Sequence, residues 1–179
     1  ASHLMLIKTK MLLSAAEAAE AESELDLLRQ SLVERRRKEA MEQIRQELGE
    51  VTGIIHGAGL LADCKIWNKE MARFRAVLDT KYVGLNNILS CVNKEQLKLV
   101  VSFSSVAGYF GNDGQMDYAA GNEFLAKFAY HFRRKYPNCK ALTINWGAWD
   151  GGMMDYIYRK TLTEKGYVLI PLDVGANYF

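Results

Sequence analysis

The sequence predicts an α/β fold built on a doubly wound parallel sheet, and three observations predict it. Short β-prone runs at 51–56, 97–103 and 140–146 alternate with helix-like stretches at 68–89 and 123–134, the spacing of βαβ units. Each run leads into small or polar residues: His56-Gly57-Ala58-Gly59, Ser104-Ser105 and Asn145-Trp146-Gly147. The carboxyl ends of strands are where an open parallel sheet places its chemistry. The chain has 179 residues, 49% hydrophobic and 25% charged, enough for one core of ordinary globular composition.

Composition also excludes several classes. A net charge of +2 gives no pull toward nucleic acid or an anionic membrane. Cys64, Cys91 and Cys139 are scattered, with no C-x-x-C pair, so a reducing cytoplasm is the expected compartment and no disulfide framework is expected. No apolar run reaches the roughly 18–20 residues of a membrane helix. Residues 1–5, Ala-Ser-His-Leu-Met, read as a cloning scar and are set aside with His3.

In chain order, Leu4–Leu13 reads as a short strand. Ser14 and Glu17 form a capping-box pattern. From there to Leu48 the residues are strong helix formers without Gly or Pro. Acidic residues come early and Arg35, Arg36, Arg37 and Lys38 late, which suits one helix dipole or two consecutive helices. The basic run reads as a solvated helix face rather than a phosphate patch. Gly49 is the expected C-cap.

Val51–His56 is a buried strand whose following glycines let a ligand or another backbone approach closely. His56 has no His or Cys at ligand spacing, so it reads as a core or strand-end histidine, not a metal ligand. Asn68–Leu89 is an amphipathic helix. Lys81 falls inside its apolar pattern, either snorkelling outward or held in a site. The stretch Val100–Asn122 passes from strand through a glycine-punctuated loop into an alanine-rich helix opening near Tyr118. That helix continues along Glu123–Arg134 with Phe124, Leu125, Phe128 and Phe132 on its apolar side. Lys140–Trp146 is a third strand. A helix near Met154–Lys165, a stop at Gly166, a strand at Tyr167–Ile170 and a segment starting at Asp173 complete the chain.

Ser105, Tyr118 thirteen residues on and Asn122 four further resemble the short-chain dehydrogenase/reductase superfamily. Most of that superfamily keeps a lysine where Asn122 stands, and an asparagine where Lys81 stands in D-T-K-Y-V-G (79–84). This exchange resembles the ketoreductase domains of polyketide and related fatty-acid synthases. G-I-I-H-G-A-G-L-L-A-D (53–63), F-S-S-V-A-G (103–108), G-Q-M-D-Y-A-A-G-N (114–122) and N-W-G-A-W (145–149) agree with it. The tail W-D-G-G-M-M and E-K-G-Y-V-L-I-P-L-D-V-G-A is most like polyunsaturated fatty acid synthase ketoreductases.

The resemblance implies a Rossmann-like sheet and an NADPH-dependent reduction of a β-ketoacyl thioester carried on an acyl carrier protein, within a synthase of several domains. Tyr118 would donate the proton and Ser105 would hydrogen-bond the ketone oxygen as it gains charge. Lys81 would stabilise the phenolate and hold the nicotinamide ribose, and Asn122 would order Lys81 or a relay water. The cofactor-facing residues implied are His56, Gly57, Ala58, Gly59, Lys81, Asn145, Trp146 and Gly147. Trp146 and Trp149 read equally well as core aromatics. Gly152–Lys165 would form a lid, with Met153, Met154 and Asp63 facing substrate. Asp63 matches the aspartate that guides the acyl chain in related synthases, but Phe110, Asp113 and Asp117 fit neither usual marker pattern, so no stereochemistry is assigned.

A complete domain of this kind opens with a glycine-rich G-x-G-x-x-G turn that binds the cofactor pyrophosphate. No such turn occurs in these 179 residues. Residues 6–48 therefore read as a strand plus a helical insertion, and 49–179 as the catalytic part of the domain. The chain alone is expected to bind nicotinamide cofactor weakly or not at all. Two rival readings stand beside this one: a reductase-derived structural or interaction module without cofactor binding, and a free-standing reductase of a small ketone or sugar. The Lys/Asn exchange and N-W-G-A-W argue against the second rival.

Overall fold

The computed structural model describes residues 15–179. The strand expected at 4–13 and the Ser14 cap lie outside the described residues. The described residues divide into two compact units, one ending at Glu50 and the other running from Val51 to Phe179.

The first unit is one helix, α1 (Ala15–Leu48), rather than two. Arg29–Asp26 and Arg35–Glu39 pair along its surface at 2.9 and 3.0 Å. Arg35, Arg36, Arg37 and Lys38 are exposed, as a solvated face requires. Gly49 ends the helix in the left-handed region, φ 83°, and its amide bonds the Arg45 carbonyl at 2.9 Å.

The second unit is built on three parallel strands in the order β1 (Gly53–His56), β2 (Leu99–Ser105), β3 (Lys140–Trp146). Helix α2 (Met71–Ser90) connects β1 to β2, and α4 (Met116–Lys135) connects β2 to β3. Register aligns Ile54 with Val100 and Val100 with Ala141, and all three are buried. Strand alternation puts His56, Ser102, Ser104 and Thr143 on that same face. There the Thr143 hydroxyl donates to the Leu125 carbonyl at 3.1 Å, and the Ser104 hydroxyl to the Asn122 carbonyl at 3.0 Å, so this face carries α4. Val77, Leu85 and Leu89 of α2 and Leu125, Ala129 and Phe132 of α4 complete the core. On the opposite face Phe103 packs edge-on against Trp146 and Phe179.

Two differences at element boundaries bear on the site. The helix that carries Tyr118 starts at Met116, so the phenol stands in its first turn. A five-residue helix, α3 (Val106–Phe110), replaces the expected loop after β2. Ser105 is its N-cap, accepting from the Ala107 amide at 3.1 Å. Gly108 permits this turn, because a Cβ there would sit 2.9 Å from Asn122 Cβ on α4.

The C-terminal region needs one correction. Tyr167–Ile170 is not a strand. Only Ile170 bridges, in parallel with Trp149, with hydrogen bonds of 2.8 Å on either side. Tyr167 and Val168 are 60% and 92% exposed, so β propensity finds no partner strand or covered face there. Helix α5 (Tyr156–Glu164) begins where the Asp155 carboxylate accepts from the Tyr158 amide at 2.7 Å. It ends before Gly166, φ 82°. Helix α6 (Leu172–Tyr178) follows, and Gly175 lies so close to Trp149 that a Cβ would meet its ring at 2.4 Å. Among the described residues, no helix is long and apolar enough to cross a membrane.

Candidate active site

The site forms where the C-terminal end of β2 faces the start of α4. Tyr118 is half-buried there. Its pKa is raised by burial, while the side chains of Asn122 and Ser105 oppose this as hydrogen-bond partners. The charge of Asp63 raises it further. The phenol is therefore protonated at neutral pH, and both residues expected beside it act on its ionisation. The net shift is upward, whereas the resemblance led us to expect Lys81 to pull it down.

Lys81 approaches the same ring. It lies inside the α2 pattern and is 4% exposed, so it does not snorkel. Its ammonium donates to the Phe103 carbonyl at 2.8 Å and stands 5.9 Å from the centre of the Tyr118 ring. Burial lowers its pKa to about 8. Gly121 of α4 admits the stem, since a Cβ there would lie 3.3 Å from Lys81 Cγ.

Asn122 is fully buried. Its amide donates to the Tyr118 carbonyl one turn back at 2.8 Å, and its Oδ1 has no partner. A buried, unspent acceptor one turn from Tyr118 suits an ammonium or a water.

His56 has a different place from the rest of its loop. Its imidazole is 2% exposed and packs beside Gly84 of α2, with Nε2 unpartnered. Burial and the Lys81 charge lower its pKa, so it is neutral at pH 7. The side chain belongs to the core, and only the backbone beyond it opens outward: Gly57 and Ala58 are exposed, and Gly59 is half-buried. A Cβ on Gly59 would lie 3.7 Å from Lys81 Nζ and 3.4 Å from Met153 Cε, so this glycine brings the two together. Met154, the next residue, is half-buried, and Asn145 is exposed at the end of β3. A Cβ on Gly147 would make only ordinary contact with Ile170, at 3.6 Å. Trp146 and Trp149 pack edge-on at 4.9 Å, as core aromatics do, yet Trp146 keeps a buried indole N–H without a partner.

Sequence reasoning missed a polar network around Asp63. The Gln115 amide donates to the Asp63 carboxylate at 2.7 Å. Asn112 donates to Gln115 at 2.9 Å and to the Tyr158 hydroxyl of α5 at 3.3 Å. It also missed a buried ion pair between Lys69 and Asp117. Periodicity could not find these contacts, because most of them link residues about fifty positions apart. The one local signal was Asp117, a carboxylate adjoining Tyr118 in the first turn of a helix.

A tyrosine, a serine and a buried lysine thus lie at the C-terminal end of a parallel sheet, where an α/β protein of this class places its chemistry. The family model described as "KR domain" matches residues 11–151. The chain belongs to this family, the ketoreductases of the short-chain dehydrogenase/reductase superfamily. It is 41% identical over 129 residues to one subunit of the polyunsaturated fatty acid synthase of Thraustochytrium sp., covering 72% of this chain and 4% of that protein. It is 34% identical over 110 residues to the polyketide synthase PksM of Bacillus subtilis, covering 61% of this chain and 3% of that protein. A ketoreductase domain from the bacillaene assembly line superposes with a TM-score of 0.69 at 35% identity, covering 82% of this chain and 37% of that one. The chain therefore spans well under half the length of each of these relatives.

Proposed function

We propose that this chain forms the proton-delivering part of an NADPH-dependent ketoreductase domain in a polyketide or polyunsaturated fatty acid synthase. Its substrate is a β-ketoacyl thioester on an acyl carrier protein, and its product is the β-hydroxyacyl thioester. One observation supports this reading: the buried Lys81 ammonium stands 5.9 Å from the centre of the ring of Tyr118, a phenol that burial keeps protonated.

The nicotinamide end of the cofactor fits the residues present. Lys81, the open backbone of Gly57-Ala58-Gly59, and the unspent N–H of Trp146 beside Asn145 and Gly147 would hold it. The bound cofactor supplies a hydride to the ketone carbon. Tyr118 gives its proton to the ketone oxygen. Ser105 donates a hydrogen bond to that oxygen as charge develops. Lys81 stabilises the phenolate left behind, and Asn122 holds Lys81 or a water that returns the proton. Asp63 and the methionines Met153 and Met154 face the acyl side, and the 152–165 segment covers it. The partners are an acyl carrier protein and the neighbouring synthase domains, in the cytoplasm.

The test uses the full synthase polypeptide that contains this chain, incubated with a β-ketoacyl thioester and either NADPH or NADH. Formation of the β-hydroxyacyl product with NADPH is expected. Absence of product with both cofactors removes the assignment in favour of a non-catalytic module, and a preference for NADH removes the cofactor assignment alone.

A further inference from the structure

We propose that Lys69 and Asp117 are positioning residues that fix the proton donor Tyr118 against the loop carrying Asp63. The proposal rests on the ketoreductase reading for its kinetic part only.

Lys69 and Asp117 form an ion pair at 2.9 Å with side chains 4% and 0% exposed. Neither charge is spent on the pair alone. The Lys69 ammonium also donates to the Ala62 carbonyl at 2.7 Å, next to Asp63. The other oxygen of Asp117 accepts the Tyr118 amide at 2.9 Å. That amide is one of the first in α4, which no preceding turn can satisfy. One buried bridge thus runs from the backbone beside the substrate-side carboxylate to the backbone of the proton donor. Burial works against the Lys69 charge, but Asp117 outweighs it and holds the lysine pKa above its ordinary value.

The pair has a purpose other than stability. Two charges removed from water give little net stabilisation, and apolar side chains of similar volume often do as well or better. What such a pair adds is a fixed geometry. Two further links, from the Gln115 amide to the Asp63 carboxylate at 2.7 Å and from the Cys64 amide to the Gly114 carbonyl at 3.0 Å, run beside it. Among these links the ion pair alone joins two opposite charges, and both are buried. Its loss would let the Asp63 loop and the start of α4 move separately, so the ketone would present itself to Tyr118 in more than one orientation.

The test compares Lys69→Met, Lys69→Arg, Asp117→Asn and the doubly apolar Lys69→Met/Asp117→Leu in the full synthase polypeptide. Hydrogen exchange is followed in peptides covering 60–66, 115–120 and 140–146. Turnover, KM for each substrate and the enantiomer ratio of the alcohol are measured on the same samples. In Lys69→Met we expect exchange to rise about tenfold or more in the first two segments and stay unchanged in the third. We expect kcat to fall about 10- to 100-fold with the cofactor KM within about twofold, since small misplacements of reacting groups cost that much. The enantiomer ratio should erode, and Lys69→Arg should restore most of both. The double variant guards against misfolding: it should keep the wild-type thermal midpoint without recovering kcat. Wild-type kcat and enantiomer ratio in either Lys69→Met or the double variant overturn the proposal. If the wild-type protein reduces no ketone, the functional reading fails and the exchange data alone decide: faster exchange in both segments sustains the clamp, and unchanged exchange removes it.

Discussion

The Lys81 ammonium bonds the Phe103 carbonyl at 2.8 Å and stands 5.9 Å from the centre of the Tyr118 ring. The charge is thus anchored on the backbone near the end of β2, two residues before Ser105, rather than on a carboxylate. A backbone carbonyl offsets only part of the cost of burying an ammonium. The lysine is consequently held in place but destabilised as a cation.

This gives a pH prediction. Lys81 titrates at about 8 in the folded chain against 10.5 for the free side chain. Between these values the unfolded state holds more protons, so the Lys81 contribution makes stability rise with pH across this window. Below about 8 the burial cost is fully present. Lys81→Met should therefore be more stable than wild type at pH 7, by on the order of 1–3 kcal/mol, with the gap closing toward pH 10. Urea unfolding of both proteins at a series of pH values measures it, and a constant gap would contradict the assignment.

Tyr118→Phe should lower ketone reduction by at least about 10²-fold, the ordinary contribution of a general acid. The thermal midpoint should move by little, because Tyr118 is only half-buried and the substitution removes one hydroxyl. Full activity in this variant would exclude Tyr118 as the proton donor.

Gly108→Ala should destabilise the fold by about 1–3 kcal/mol, since overpacking against a helix cannot be relieved by a side-chain rotation. The new Cβ would lie 2.9 Å from Asn122 Cβ and 3.0 Å from the Glu123 amide nitrogen. Gly53→Ala serves as the comparison, because a Cβ there meets nothing closer than 4.0 Å. Equal unfolding midpoints for the two variants would show that α3 and α4 do not depend on this approach.

The 179-residue chain by itself should bind NADPH weakly or not at all, because it has no G-x-G-x-x-G turn to hold a pyrophosphate. Titration followed by nicotinamide fluorescence checks this, and micromolar binding would refute it.

Much of this was legible in one dimension. The strands at Gly53–His56 and Lys140–Trp146 lie within the β-prone runs, because a buried parallel strand must be an apolar run of limited length. The spacing of Ser105, Tyr118 and Asn122 is local, one strand end plus one helix turn, so their placement at the end of β2 and in the first turns of α4 was readable from the sequence. Position 81 in an apolar helix face was equally readable as either a snorkelling or a held lysine. Only packing decided it, by placing the Phe103 carbonyl within 2.8 Å. Packing likewise decided that His56 turns into the core beside Gly84 while its glycines face outward. It denied Tyr167–Ile170 a partner strand, and it brought Lys69 to Asp117 across forty-eight residues. Sequence alone set the chemistry carried by neighbours along the chain. The tertiary structure set which distant charges would be buried together, because the cost of burying an ionised group depends on every element packed around it.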